Sequence, residues 1–269
     1  MAYSDNSGLI DLSAFVDDTQ AGGRYTFLAA EARSALGVSE IAAENAVRRL
    51  KARGRLVAPR PGFFVIVPVE YRTAGAPPPS WFIDDLMRFL GQPYYVGLLS
   101  AAALHGASHQ QPMVFQVVTD RPTRPAKAGR ARMEFHAARE VSDAPVLNMQ
   151  TETGLMLVST PEQTAFDLVK FSAACGGWSN VAMVLSELAE RADAAKLQSL
   201  AASRKGPEVQ RLGFLLDQVA QHRLADALLR SLTSRRYRPV LLAQDAPRGD
   251  ATTVAPWRVI PNVTVELDS

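Results

Sequence analysis

The chain has one cysteine, Cys175, among 269 residues, so an internal disulfide is excluded and a cysteine-rich zinc site is impossible. No uninterrupted apolar run approaches the roughly 20 residues that cross a bilayer as a helix. The first ten residues are polar and lack the apolar stretch of a secretory signal, so the expected compartment is a reducing cytoplasm. Neither GxxxxGK(S/T) nor GxGxxG occurs, which removes the two common glycine loops that cradle phosphates. Acidic residues are also missing from one place in particular. Between Asn45 and Val69 there are none, while six basic residues occur there: Arg48, Arg49, Lys51, Arg53, Arg55 and Arg60. The whole chain carries a formal charge of only +2, so this is a local concentration and not a global bias.

What is present is enough apolar material for real cores, at 47% of residues, in a length that suits two domains. The expected class is α+β: an N-terminal winged helix-turn-helix over residues 1–72, a proline-rich linker over 73–80, and a larger mixed α/β domain with a helical C-terminal half over 81–269. In the first part, residues 9–17 read as a helix with Ile10 and Ala14 inward and Leu12 and Phe15 as further inward candidates, ended by Gly22-Gly23. Thr26 is expected to cap a second helix whose apolar positions include Leu28, Ala29, Ala32 and Leu36, closed by Gly37. Ser39 caps a third helix, with Ala43, Ala46, Val47 and Leu50 as its buried stripe and Gly54 at its end. Apolar β-type runs flank a turn at Pro59-Arg60-Pro61-Gly62, the outline of a wing.

With Val47 and Leu50 inward, a rotation of 100° per residue puts Ile41, Asn45, Arg48, Arg49 and Ala52 on the opposite face. Asparagine can pair with adenine and arginine with guanine through two hydrogen bonds each. Asn45, Arg48 and Arg49 are therefore candidate base readers. Lys51, Arg53, Arg55 and Arg60 are candidate phosphate holders, and Ser39 and Ile41 complete the DNA-facing set. The competing interpretation is a solvated basic face, or a winged helix that binds only protein.

In the second part, Ser80 is expected to cap a helix to Leu90, and residues 94–105 to form a second, buried helix. Residues 113–119 and 132–136 read as strands, and 148–159 as a hairpin. Thr160-Pro161-Glu162-Gln163 is a helix start with threonine as cap, proline at the first position and glutamine placed for a capping box. Helices are expected over 179–191, 193–203, 207–221 and 224–233, and strands over 239–242 and 257–265.

Signs of catalysis are sparse. His105 and His109 are four apart, but Gly106 interrupts the segment and no third ligand is near, so no metal or cofactor is expected. A nucleic-acid-targeted enzyme with a site at this pair is the alternative function. Cys175 precedes Gly176-Gly177 with no base to activate it.

Several motifs together resemble the abortive-infection AbiEi antitoxin family. They are Gly62-Phe63-Phe64-Val65-Ile66-Val67-Pro68, Glu70-Tyr71-Arg72, Trp81-Phe82-Ile83-Asp84-Asp85-Leu86-Met87, the run from Pro93 through Gly106, His109-Gln110-Gln111-Pro112, Ser159-Thr160-Pro161-Glu162 with Ala165-Phe166-Asp167-Leu168-Val169, and Gln210-Arg211-Leu212-Gly213-Phe214-Leu215-Leu216. The resemblance covers roughly residues 25–220. It implies a type IV antitoxin whose winged helix binds inverted repeats in its own promoter and represses transcription. It also implies that the C-terminal domain counters a nucleotidyltransferase-like toxin encoded next door, without a stable complex. It implies no catalytic motif.

Overall fold

The computed structural model describes residues 11–107, 112–232 and 237–267. Along the chain run α1 (Leu12–Ala21), β1 (Thr26–Leu28), α2 (Ala29–Leu36), α3 (Glu40–Ala52), β2 (Leu56–Arg60), β3 (Phe63–Ile66), α4 (Ile83–Leu90), β4 (Tyr94–Val96), α5 (Leu98–Leu104), β5 (Phe115–Thr119), β6 (Ala126–Ala128), β7 (Ala131–Ala137), β8 (Val146–Thr151) and β9 (Gly154–Ser159). There follow α6 (Pro161–Lys170), α7 (Gly177–Leu188), α8 (Ala194–Ser203), α9 (Gly206–Gln218), α10 (His222–Leu232), β10 (Val240–Leu241) and β11 (Val259–Ile260). The fold is mixed, with parallel and antiparallel strand pairs. No described helix is long and apolar enough to cross a membrane. Contacts group the chain into two compact units. The first takes residues through Tyr94 with 113–142 and 148–157; the second takes 95–112, 143–147 and the chain from Val158 onward.

In the first unit, α1–α3 share one core with an antiparallel sheet ordered β1-β3-β2. The α3 stripe lies inward as its spacing requires: Ala43, Ala46, Val47 and Leu50 are all buried. Ser39 Oγ accepts from the Ala42 amide at 3.4 Å, and Glu40 lies in the first turn beside the helix's partial positive charge. Gly54, at φ 67°, supplies the left-handed step from α3 into β2.

Two expectations for this region are corrected. The buried residues of α1 are Leu12, one of the inward candidates, and Val16, while Phe15 is half-buried, Ala14 is exposed and Ile10 falls outside the described residues. Thr26 does not cap α2; it lies in β1, paired with Val65, and its hydroxyl donates to Asp85 Oδ2. The β-branched and aromatic pair Thr26-Phe27 gains more from pairing with β3 than from a cap. The start of α2 is instead satisfied by Glu31, whose carboxylate accepts from the Leu28 amide at 2.7 Å.

The proline-rich stretch is packed down and is not a free spacer. Ala76 and Pro77 are buried, and the Arg130 amide donates to the Ala74 carbonyl at 2.8 Å. Gly129 comes so close that a Cβ there would lie 2.3 Å from the Ala74 oxygen. After Phe82, α4 buries Ile83, Leu86 and Met87. Farther along, β7 pairs in parallel with β5 and antiparallel with β6.

In the second unit, Val96 of β4 pairs in parallel with Val158 of β9. Residues 94–96 are therefore a strand, and the helix expected from 94 begins only at Leu98. The aromatic and β-branched run Tyr94-Tyr95-Val96 is the physical reason. Helix α6 is buried from Glu162 through Val169. Thr160 Oγ1 accepts from the Gln163 amide at 3.3 Å, so the threonine cap and Pro161 stand as expected. The reciprocal half of the box is not made, because the Gln163 side chain turns inward. β10 and β11 form a short parallel pair.

Candidate nucleic-acid interface

Helix α3 is electrically polarised along its length. Glu40 and Glu44 occupy its first half, and Arg48, Arg49 and Lys51 its second, with Arg53 at the C-cap. The basic end coincides with the partial negative charge of the helix C-terminus, which favours cations there by about 0.3–1 kcal/mol each. This helical economy alone accounts for some of the clustering. It does not account for the outward direction of the set: Arg48, Arg49, Lys51 and Arg53 are all exposed, and Ile41 is 71% exposed. Asn45 is half-buried, and its Oδ1 accepts from Arg48 one turn on, so the two are held together on the outer face.

Beside this face runs a groove of about 550 Å³ bounded by α2, α3 and the β2–β3 turn. Its charged walls are Arg33, Glu40, Glu44, Arg48 and Lys51. Arg33 and Glu40 are 3.9 Å apart across it.

The structure brings Ser39, Ile41, Asn45, Arg48, Arg49, Lys51 and Arg53 together on one helix and its two ends. Arg55 and Arg60 lie beyond that helix, just before β2 and at its last residue. Arg55 forms an ion pair with Asp17 of α1. Arg60 donates to the carbonyls of Arg124 and Pro125, and its guanidinium lies 5.6 Å from the centre of the Phe135 ring. Burial lowers its pKa from the ordinary arginine value. Both side chains tie the strand pair to its own unit.

Of the histidine pair, only His105 falls within the described residues. His105 Nε2 lies 2.7 Å from the Ser159 carbonyl oxygen, which can only accept, so that nitrogen carries the proton. His109 lies outside the described residues. No group of three possible metal ligands occurs among the described residues. Cys175 is fully buried, and burial together with the charge of Asp167 pushes its thiol up to about 12, which makes it a poor nucleophile.

A buried polar network in the second unit was not anticipated. Gln163 Nε2 donates to Asp167 Oδ1 at 2.8 Å and to the Tyr95 hydroxyl oxygen at 3.2 Å. Tyr95 donates to Asp167 Oδ1 at 3.2 Å, and Arg204 donates to Gln163 Oε1. Among the described residues, Asp167 Oδ2 has no hydrogen-bond partner. Burial raises the Asp167 pKa to about 7, against the opposing pull of Gln163, Tyr95, Arg204 and Lys170. Burial likewise raises Tyr95 well above the usual phenol value. The visible signal is an aspartate inside the apolar run Ala165-Phe166-Asp167-Leu168-Val169. At 2% exposure, Asp167 is closed to any substrate, and the network is a device of packing.

Comparison with known proteins adds two findings. Residues 95–218 match the family described as the AbiEi antitoxin C-terminal domain. The whole fold is similar to the crystal structure of RV2827C protein from Mycobacterium tuberculosis, at a TM-score of 0.68 and 17% identity, covering 92% of this chain and 90% of that one. No curated protein matches the sequence.

Proposed function

We propose, from the match of residues 95–218 to the AbiEi antitoxin C-terminal domain, a type IV antitoxin that also binds and represses its own promoter. The N-terminal 72 residues are its winged helix-turn-helix, with α3 as the reading helix and β2–β3 as the wing. The toxin it counters is a nucleotidyltransferase-like enzyme encoded beside it, and the chain itself performs no catalysis. The cytoplasm is where such a protein meets both DNA and toxin.

One observation carries the DNA reading: four exposed cations, Arg48, Arg49, Lys51 and Arg53, end a helix that is joined to its predecessor by a tight Gly37-Val38 turn. Arg48, Arg49 and Asn45 face the bases, Lys51 and Arg53 the phosphates. Ser39 and Ile41 sit at the start of the same helix, while Arg55 and Arg60 stiffen the frame behind it. Each two-pronged arginine–guanine contact is worth about 1–3 kcal/mol. Replacing Arg48 and Arg49 together by alanine is therefore expected to weaken binding to the protein's upstream region by about 100-fold or more in a gel-shift titration. Lys51→Ala is expected to lower the dependence of log K on log salt by about one. Wild-type affinity in the double variant would remove α3 from the interface. The antitoxin half is checked by co-expression: failure to rescue cells from the neighbouring toxin sinks it.

A further inference from the structure

A second concavity lies wholly within the second unit, with a volume of about 630 Å³, within the range of small-molecule sites. Three cations line it: Lys170 from the end of α6, Lys205 just before α9, and Arg211 in the second turn of α9. Arg211 is 8% exposed. Its Nε donates to the Leu241 carbonyl at 2.9 Å, and among the described residues it makes no ion pair and no other hydrogen bond. The guanidinium is thus gripped by one arm, and its Nη groups remain for the cavity. Burial lowers the Arg211 pKa, and the Glu208 carboxylate one turn back opposes that only in part, so an arriving anion would relieve the remaining cost of burying the charge. The planar fork suits a phosphate, and the first turn of α9 adds its partial positive charge nearby.

The remaining walls suit a flat apolar body. Phe171 and Trp178 both line the cavity, and Lys170 Nζ sits 5.4 Å from the Phe171 ring centre, held by cation–π attraction. Glu208 and Asp245 also face it. Set against three cations, these two acids leave a net charge of about +1, which suits one phosphate better than a polyphosphate chain. Carboxylates are also acceptors for sugar hydroxyls and base amino groups.

We infer that this cavity binds a nucleoside monophosphate, with the phosphate on Arg211 and Lys205 and the base against Trp178 and Phe171. This site is independent of the DNA reading, which rests on the other unit. The test is isothermal titration of the full-length protein with AMP, GMP, CMP, UMP and inorganic phosphate, with tryptophan fluorescence in parallel. At least one nucleotide should bind with a micromolar Kd and alter the fluorescence. Lys170→Ala with Lys205→Ala, both at exposed positions, should weaken that binding at least tenfold while thermal stability is unchanged. Trp178→Phe should abolish the fluorescence response. Arg211→Lys keeps the charge but loses the fork, and should weaken binding as well. No binding by any nucleotide overturns the proposal, as does an affinity for inorganic phosphate equal to that for the nucleotides, or a double lysine variant that binds like wild type.

Discussion

Gly213→Ala is expected to destabilise the second unit by about 2–4 kcal/mol, although alanine is the better helix former by about 1 kcal/mol. Gly213 lies within α9, and a Cβ there would fall 2.0 Å from Cζ3 of Trp257 and 2.2 Å from Cη2. Trp257 is 2% exposed and cannot move aside cheaply. Its indole nitrogen donates to Asp217, and Gln210 Nε2 donates to its carbonyl at 2.8 Å. Gln210, Gly213 and Asp217 therefore form a slot along one face of α9, and the absent side chain of the glycine is its floor. Filling that floor forces out a buried tryptophan whose loss from a core typically costs about 3–5 kcal/mol. Thermal unfolding should show a Tm lower by about 5–10 °C, with a shift in tryptophan emission as the indole meets water. An unchanged or higher Tm would falsify the slot.

Asp167→Asn is expected to change how stability depends on pH. The Asp167 carboxyl has a pKa of about 7 in the folded chain, against 3.8 as the ordinary value. Between those two values the folded protein holds a proton that the unfolded chain has released. Wild-type stability should therefore fall as pH rises from about 4 to about 7 and level off above that, by a total on the order of 4 kcal/mol. Asparagine does not titrate, and its Oδ1 can still accept from Tyr95 and Gln163. The variant should lose this slope and be the more stable protein at pH 8, with little difference near pH 4. Urea denaturation at several pH values measures it, and parallel stability curves for the two proteins would dispose of the idea.

Local chemistry made much of this architecture legible. Ser39, the Ala43–Leu50 stripe and Gly54 define α3 from neighbours within a turn or two, and Thr160-Pro161 does the same for α6. The turn around Glu152-Thr153 likewise marks β8 and β9. What escaped was decided by distant partners. Thr26 and Tyr95 sit in apolar stretches that suit a helix as well as a strand, and their strands exist because Val65 and Val158 lie alongside β1 and β4. Gln163 fits a capping box by spacing, yet its amide is drawn inward by Tyr95 and Arg204, remote in sequence. The candidate interface divides along the same line. The residues of α3 follow from helical phase, whereas nothing near Arg55 and Arg60 in sequence announces Asp17, or the carbonyls of Arg124 and Pro125, as partners.

Arg60 also bears on modularity. Its guanidinium holds the β2–β3 turn to the carbonyls of Arg124 and Pro125, and Phe63 at the start of β3 stacks on Phe89 of α4, ring centres 5.5 Å apart. A graft of residues 1–72 into a foreign protein would carry a cation left with the Pro59 carbonyl as its acceptor and a Phe63 ring without its aromatic partner. The inheritable piece is larger and discontinuous, and it includes the segment from Arg124 through Phe135. Insertions or exchanges in that later segment would retune the ribbon's pitch without altering a single residue of the helix it flanks.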